Sequence, residues 1–112
     1  MDCLFCKIIK GEIPSTKVYE DEYVLAFKDI DPQAPFHAVV IPKQHFVSAA
    51  EINSDNSVYV SKIFEAISKI AKDNNLDSGF RVVTNCGKDG GQTVGHLHYH
   101  LLAGRRLHWP PG

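Results

Sequence analysis

The sequence predicts an α+β domain: a mainly antiparallel sheet of about five strands, with one long helix on a face and a short helix at the N-terminus. Three observations carry this expectation. Short runs rich in β-formers, bounded by turn residues, fill the first part of the chain. A single stretch, Asp55 to about Asn74, repeats its apolar residues every three or four positions. After it come two further strand-like runs, so the order is strands, one helix, then strands.

Composition bounds the rest. At 112 residues the chain fits one domain, 1–112, with a core of ordinary size and a C-terminal tail at 105–112. Lys and Arg number 12 against 13 Asp and Glu, with no basic stripe, so no nucleic-acid partner is expected. No apolar run approaches a membrane span and the N-terminal stretch does not read as a signal peptide, so no membrane partner is expected either. Three Cys, an odd number, fit a reducing cytoplasm better than a disulfide framework.

In order, Cys3-Leu4-Phe5-Cys6-Lys7-Ile8-Ile9 reads as a short helix stopped by Gly11 and Pro14. Cys3 and Cys6 form a C-x-x-C pair, half of a zinc site if two further ligands lie near, with His45 and His96 as candidates. Lys17–Glu20 and Tyr23–Lys28 form a hairpin across Asp21-Glu22. Asp29-Ile30-Asp31-Pro32 then turns away, and Asp29 by itself reads as a turn former before a proline. Phe36–Ile41 is an apolar strand between two prolines, with His37 as its odd member, by itself a core His with a satisfied hydrogen bond. Lys43–Glu51 is expected to hold a short helix. The long helix follows, capped by Ser54 or Asp55 and striped with Val60, Ile63, Phe64, Ile67, Ile70 and Ala71. Phe80–Asn85 is a strand feeding a glycine-rich segment.

That segment and its sequel carry the chemistry. Asn85-Cys86-Gly87-Lys88-Asp89-Gly90-Gly91-Gln92-Thr93-Val94-Gly95 exposes backbone amides with little side-chain obstruction, and concave amide arrays bind oxyanions. It runs directly into His96-Leu97-His98-Tyr99-His100-Leu101-Leu102. In an extended run His96, His98 and His100 share one face, roughly 6.5 to 7 Å apart, while Leu97, Tyr99 and Leu101 share the other. Three imidazoles in a row serve either as a metal site or as a nucleophile with its supports.

Gly90-Gly91-Gln92-Thr93-Val94 before H-x-H-x-H, with Asp29-Ile30-Asp31-Pro32-Gln33-Ala34-Pro35 upstream and Trp109-Pro110-Pro111-Gly112 at the end, resembles the histidine triad nucleotide-binding proteins along nearly the whole chain. The likeness is greatest to the branch acting on purine nucleoside phosphoramidates. It implies the histidine triad fold and a hydrolase that passes through a nucleotidyl-His98 intermediate, with aminoacyl-adenylates as a related substrate class. His100 and the backbone near Gly91, Gln92 and Thr93 would bind the phosphoryl oxygens, and His96 and His37 would orient the rings. The Thr93 hydroxyl would help protonate the leaving amine; the family often has Ser there. The resemblance also assigns the ribose to Asp29, with Ile30 beside sugar and base, the purine walls to Phe5, Ile13 and Phe27, and the sugar-phosphate region to Asn85.

Further expectations come with it. No cofactor is required for the chemistry, while a structural zinc on Cys3, Cys6, His45 and His96 is found in some relatives. Purine nucleoside monophosphates and their phosphoramidates are the expected ligands. A homodimer is expected through the long helix and the strand after it, with Trp109-Pro110-Pro111 as a stiff tail directed at the partner. Two other function classes fit the same residues: a purine-nucleotide-binding regulatory module with little turnover, and a His-metal hydrolase or cupin-like enzyme. A covalent adduct on His98 separates the first, and loss of turnover to a chelator the second.

Overall fold

A computed structural model describes residues 3–112. Cys3 opens the first helix, α1 (Leu4–Ile9), and its thiol accepts the Cys6 amide where a Ser or Asp would ordinarily cap. Gly11, at φ +80°, turns the chain out of α1. In the hairpin of β1 (Lys17–Glu20) and β2 (Val24–Lys28), Asp21 Oδ1 accepts the amides of Tyr23 and Val24 at 2.7 and 2.9 Å. Then follow β3 (Phe36–Pro42), a 3-10 turn at Ala49–Glu51, α2 (Val58–Asp73), β4 (Phe80–Val83) and β5 (Tyr99–Ala103). All five strands join one sheet in the order β1-β2-β3-β5-β4, each pair antiparallel.

The sheet has two different faces. Val24, Ala26, Ala38, Val40, Tyr99 and Leu101 meet the Ile63, Ala66, Ile67 and Ile70 stripe of α2 to make the larger core. On the other face Leu25, Phe27, Val39 and Ile41 pack under Phe5 and Ile8 of α1. Because strand side chains alternate, His37 and His100 are turned toward this second, thinly covered face. The register sets Val39 opposite His100 and His37 opposite Leu102, so the two imidazoles come from adjacent strands.

Several boundaries differ from the sequence expectation, β2 and β3 by one residue each, at Val24 and Pro42. The long helix begins at Val58, since Asn53 organises a turn before it: its Oδ1 accepts the Asp55 amide at 2.8 Å and its carbonyl the Ser57 amide at 2.9 Å. Between Lys43 and Glu51 only the 3-10 turn forms, because the Phe46 carbonyl is drawn across to the Leu97 amide at 2.6 Å. That bond and the one from the Thr84 hydroxyl to the His98 carbonyl hold residues 96–98 outside the regular ladder, so β5 starts at Tyr99. β4 ends at Val83 rather than Asn85. The alternation nonetheless persists through 96–98, since Leu97 lies in the α2 core and the His98 ring lies against Phe5. Among the described residues, no helix is long and apolar enough to cross a membrane.

Candidate active site and metal centre

His98 is 4% exposed, yet it reaches a cavity. Its Nδ1 lies 2.7 Å from the His96 carbonyl oxygen. A carbonyl can only accept, so Nδ1 carries the proton and Nε2 holds the lone pair. Phe5 and His100 flank the ring edge-on, each with its centroid 5.1 Å away, and they limit its rotation. The Thr84 hydroxyl donates to the His98 carbonyl at 2.8 Å, tying the residue to the end of β4.

A second chain of contacts fixes His100. The Gln33 amide donates to His37 Nδ1 at 3.0 Å, which leaves the proton of a neutral His37 on Nε2. That atom lies 2.9 Å from His100 Nδ1 and 3.4 Å from Asp29 Oδ2. With His100 Nδ1 as acceptor, the His100 proton sits on Nε2 and the ring becomes a donor. Burial, the largest influence, pushes both imidazoles below their ordinary pKa, while the Asp29 carboxylate opposes the shift. Asp29, His37 and His100 also converge closely enough to suggest a metal triad. The Gln33 amide argues against it, because it leaves His37 Nε2 protonated and without a lone pair for an ion.

The cavity, about 710 Å³, is of the size that takes a small ligand. Phe5, Ile13 and Phe27 wall it, Asp29 and Ile30 stand at one side, and Thr93, His98 and His100 reach in from β5 and the preceding loop. Those eight sequence-selected residues therefore meet. Ile30 is fully exposed, as suits a rim position. Asn85, Gly91 and Gln92 do not line the cavity among the described residues. The Gly91 and Gln92 amides bond back to the carbonyls of Lys88 and Gly87 at 3.0 Å each, and the Gln92 side chain bonds to Gly87, Val47 and Val94. The glycine-rich segment is thus a self-bonded loop that presents Thr93 at the cavity. Sequence reasoning missed Thr84, Gln33 and the Pro42 carbonyl, whose roles run through backbone groups and leave no pattern in residue type. It also missed Val39, which strand register with His100 would have located.

His96 turns away from the cavity. Its Nε2 donates to the Pro42 carbonyl at 3.0 Å, so the Nδ1 lone pair points the other way. It meets Cys3 Sγ at 3.3 Å, Cys6 Sγ at 3.6 Å and His45 Nδ1 at 3.1 Å, and Cys6 Sγ lies 3.3 Å from His45 Nδ1. All four atoms fall within 4.8 Å of one another. Tetrahedral zinc, at about 2.3 Å from sulfur and 2.0 Å from nitrogen, needs ligand separations of about 3.3 to 3.8 Å. The donor chemistry suits that ion, and of the four separations above only that of His45 and His96, at 3.1 Å, falls short of the range. Burial pushes His96 down to about 4, keeping it neutral as a ligand must be, and its bond to Pro42 is the usual outer support of a ligating imidazole.

Residues 2–107 match the family described as "Scavenger mRNA decapping enzyme C-term binding". A solved structure of a histidine triad protein from Clostridium difficile is 58% identical with a TM-score of 0.93, covering 96% of this chain and 94% of that one. The chain belongs to the histidine triad family. Its triad is His96, His98 and His100. Another histidine triad structure, a family hydrolase from Legionella pneumophila, is 48% identical with a TM-score of 0.96, covering 99% of this chain and all of that one. Among curated relatives, a HIT-like protein of Synechococcus elongatus is 48% identical over 99% of this chain and 97% of its own length. A 14 kDa zinc-binding protein of Zea mays is 48% identical over 97% of this chain and 87% of its own length.

Proposed function

We propose that this histidine triad protein is a purine nucleoside phosphoramidase, a hydrolase that passes through a nucleotidyl-His98 intermediate. One observation carries the reading: the His96 carbonyl holds the His98 proton on Nδ1. The lone pair is thereby left on Nε2 of a ring that lines the cavity. Attack of Nε2 on the α-phosphorus forms an N–P bond and breaks the bond to the leaving amine, which departs with a proton relayed by Thr93. Water then cleaves the N–P bond, releasing the monophosphate. His100, as a donor, stabilises the charge that gathers on the phosphoryl oxygens. Phe5, Ile13 and Phe27 suit a flat purine ring, and Asp29 Oδ2 is available to the ribose hydroxyls since Oδ1 accepts the Asp31 amide. Aminoacyl-adenylates offer the same α-phosphorus. The hydrolase label of the Legionella relative agrees with the reaction class.

Zinc in the Cys3, Cys6, His45 and His96 centre would fasten the N-terminus and take no part in the bond changes. The zinc-binding relatives of maize and Brassica juncea favour that ion. Three free thiols favour a reducing, cytoplasmic setting. A homodimer completes the proposal. An apolar groove of about 560 Å³ lies between α2 and the start of β4, and it is flanked by the half-exposed rings of Phe64 and Phe80 on an edge strand.

The test is a single-turnover reaction of the parent protein with an adenosine phosphoramidate, quenched in mid-reaction and examined by peptide mass. A nucleotidyl group on the peptide containing His98 is the expected result. Turnover that a chelator abolishes, with no adduct, would point instead to metal hydrolysis; tight monophosphate binding with neither turnover nor adduct would leave a binding module.

A further inference from the structure

The metal centre and the cavity share parts in three places. First, His96 belongs to both: its ring closes the four-residue cluster, and its carbonyl is the acceptor that fixes the His98 proton. It is fully buried, so ring and peptide are held together by their surroundings. Second, Phe5 lies on α1 between the two cysteines and is itself a cavity wall. Its ring stands edge-on to His96 at 5.9 Å, to His98 at 5.1 Å and to Phe27 at 5.5 Å. Third, the residue after His45, Phe46, accepts the amide of Leu97, which lies between His96 and His98.

We infer that Cys3, Cys6 and His45 are positioning residues of the hydrolytic site, acting through His96 and Phe5, so that a zinc-class divalent cation at the cluster governs both His98 orientation and nucleotide affinity. Two ring nitrogens face each other across 3.1 Å with two sulfur atoms beside them. A cation draws all four inward. Without one, the most direct relief is rotation of His45 or His96, or withdrawal of α1. Rotation of His96 breaks its bond to Pro42 and loosens the peptide that accepts from His98. Withdrawal of α1 takes Phe5 with it and widens the slot. The cluster then acts on catalysis from outside the reacting atoms, as outer-shell contacts do elsewhere.

This inference rests on the phosphoramidase reading for its effect on turnover, but two of its readouts do not. The full chain is loaded with zinc or stripped with a chelator, and its fold is monitored by circular dichroism. Zinc stoichiometry, AMP affinity by calorimetry and the His98 ring tautomer by nitrogen-15 NMR are then measured on both forms. The expected result is one zinc per chain, a single Nδ1-protonated His98 in the loaded form, mixed tautomers in the stripped form, and AMP binding weaker by about tenfold on stripping. Cys6→Ser should reproduce the stripped behaviour in the presence of zinc, while Cys6→His, which restores a ligand, should recover both readouts. A stripped protein that keeps its fold, its His98 tautomer and its AMP affinity would overturn the inference. So would a chain that binds no zinc. If the loaded protein shows the coupling yet hydrolyses no phosphoramidate, the proposed reaction fails and the positioning role stands.

Discussion

At His98 the sequence supplies an imidazole, but the fold decides which nitrogen carries the proton. The His96 carbonyl, 2.7 Å away, settles it. His98→Asn retains a polar side chain of smaller size and removes the proposed nucleophile, so on the phosphoramidase reading turnover should fall by about a thousandfold or more while AMP still binds. Comparing single-turnover rates with calorimetric affinity checks both halves. His37 and His100 give a pH dependence. Their folded pKa values lie below the ordinary value of about 6.5, chiefly through burial. The unfolded chain therefore takes up protons first as pH falls. The stability these two contribute is present above about 6.5 and is lost as pH drops through their folded values. Urea denaturation at pH 7.5 and pH 5 should show a lower midpoint at the acid value.

Elements place these residues. The β3–β5 register sets Val39 against His100, which brings His37 within 2.9 Å of its partner. Before β5, the loop from Cys86 to Gln92 closes on itself and delivers Thr93 to the cavity. Gly90 is required there for space and not for an unusual φ: a Cβ would stand 2.5 Å from the Cys86 carbonyl oxygen and 2.8 Å from its nitrogen. Backbone cannot yield as a side-chain tip can. Gly90→Ala should therefore lower stability by about 1–3 kcal/mol, read by chemical denaturation, and should raise KM for the phosphoramidate as Thr93 moves. An unchanged variant would show that the loop has more freedom than its hydrogen bonds indicate.

For the whole molecule, the asymmetry of the sheet is what matters. One face is sealed by α2 and supplies the main core; the other is covered by six-residue α1 with Ile13 and Val94 beside it, which leaves room for a ligand next to the imidazoles. The outer side of α2 and the edge strand β4 remain half-exposed. If two copies pair there, Phe80→Glu should convert the parent's dimer into a monomer in sedimentation at micromolar concentration, with the monomer's fold intact because Phe80 is 45% exposed. A monomeric parent at that concentration would remove the dimer from the proposal.

Periodicity by itself located the elements without fixing all their ends: the two-residue repeat that becomes β5 from Tyr99, the three-and-four repeat of α2, and the turns marked by Asp21 and Gly11 depend on neighbours in the chain. It also determined that three imidazoles would follow an amide-rich loop. Only tertiary structure decided that these imidazoles serve two different places, His96 in the sulfur cluster and His98 with His100 at the cavity. The partners that divide them, the carbonyls of Pro42 and His96, the Gln33 amide and the thiols of Cys3 and Cys6, act through backbone atoms or across some 90 residues of chain. Every residue but proline carries the same backbone donor and acceptor, so their use leaves no trace in residue type. The same reason hid Thr84, and hid that the Gln92 amide and side chain are engaged in holding their own loop.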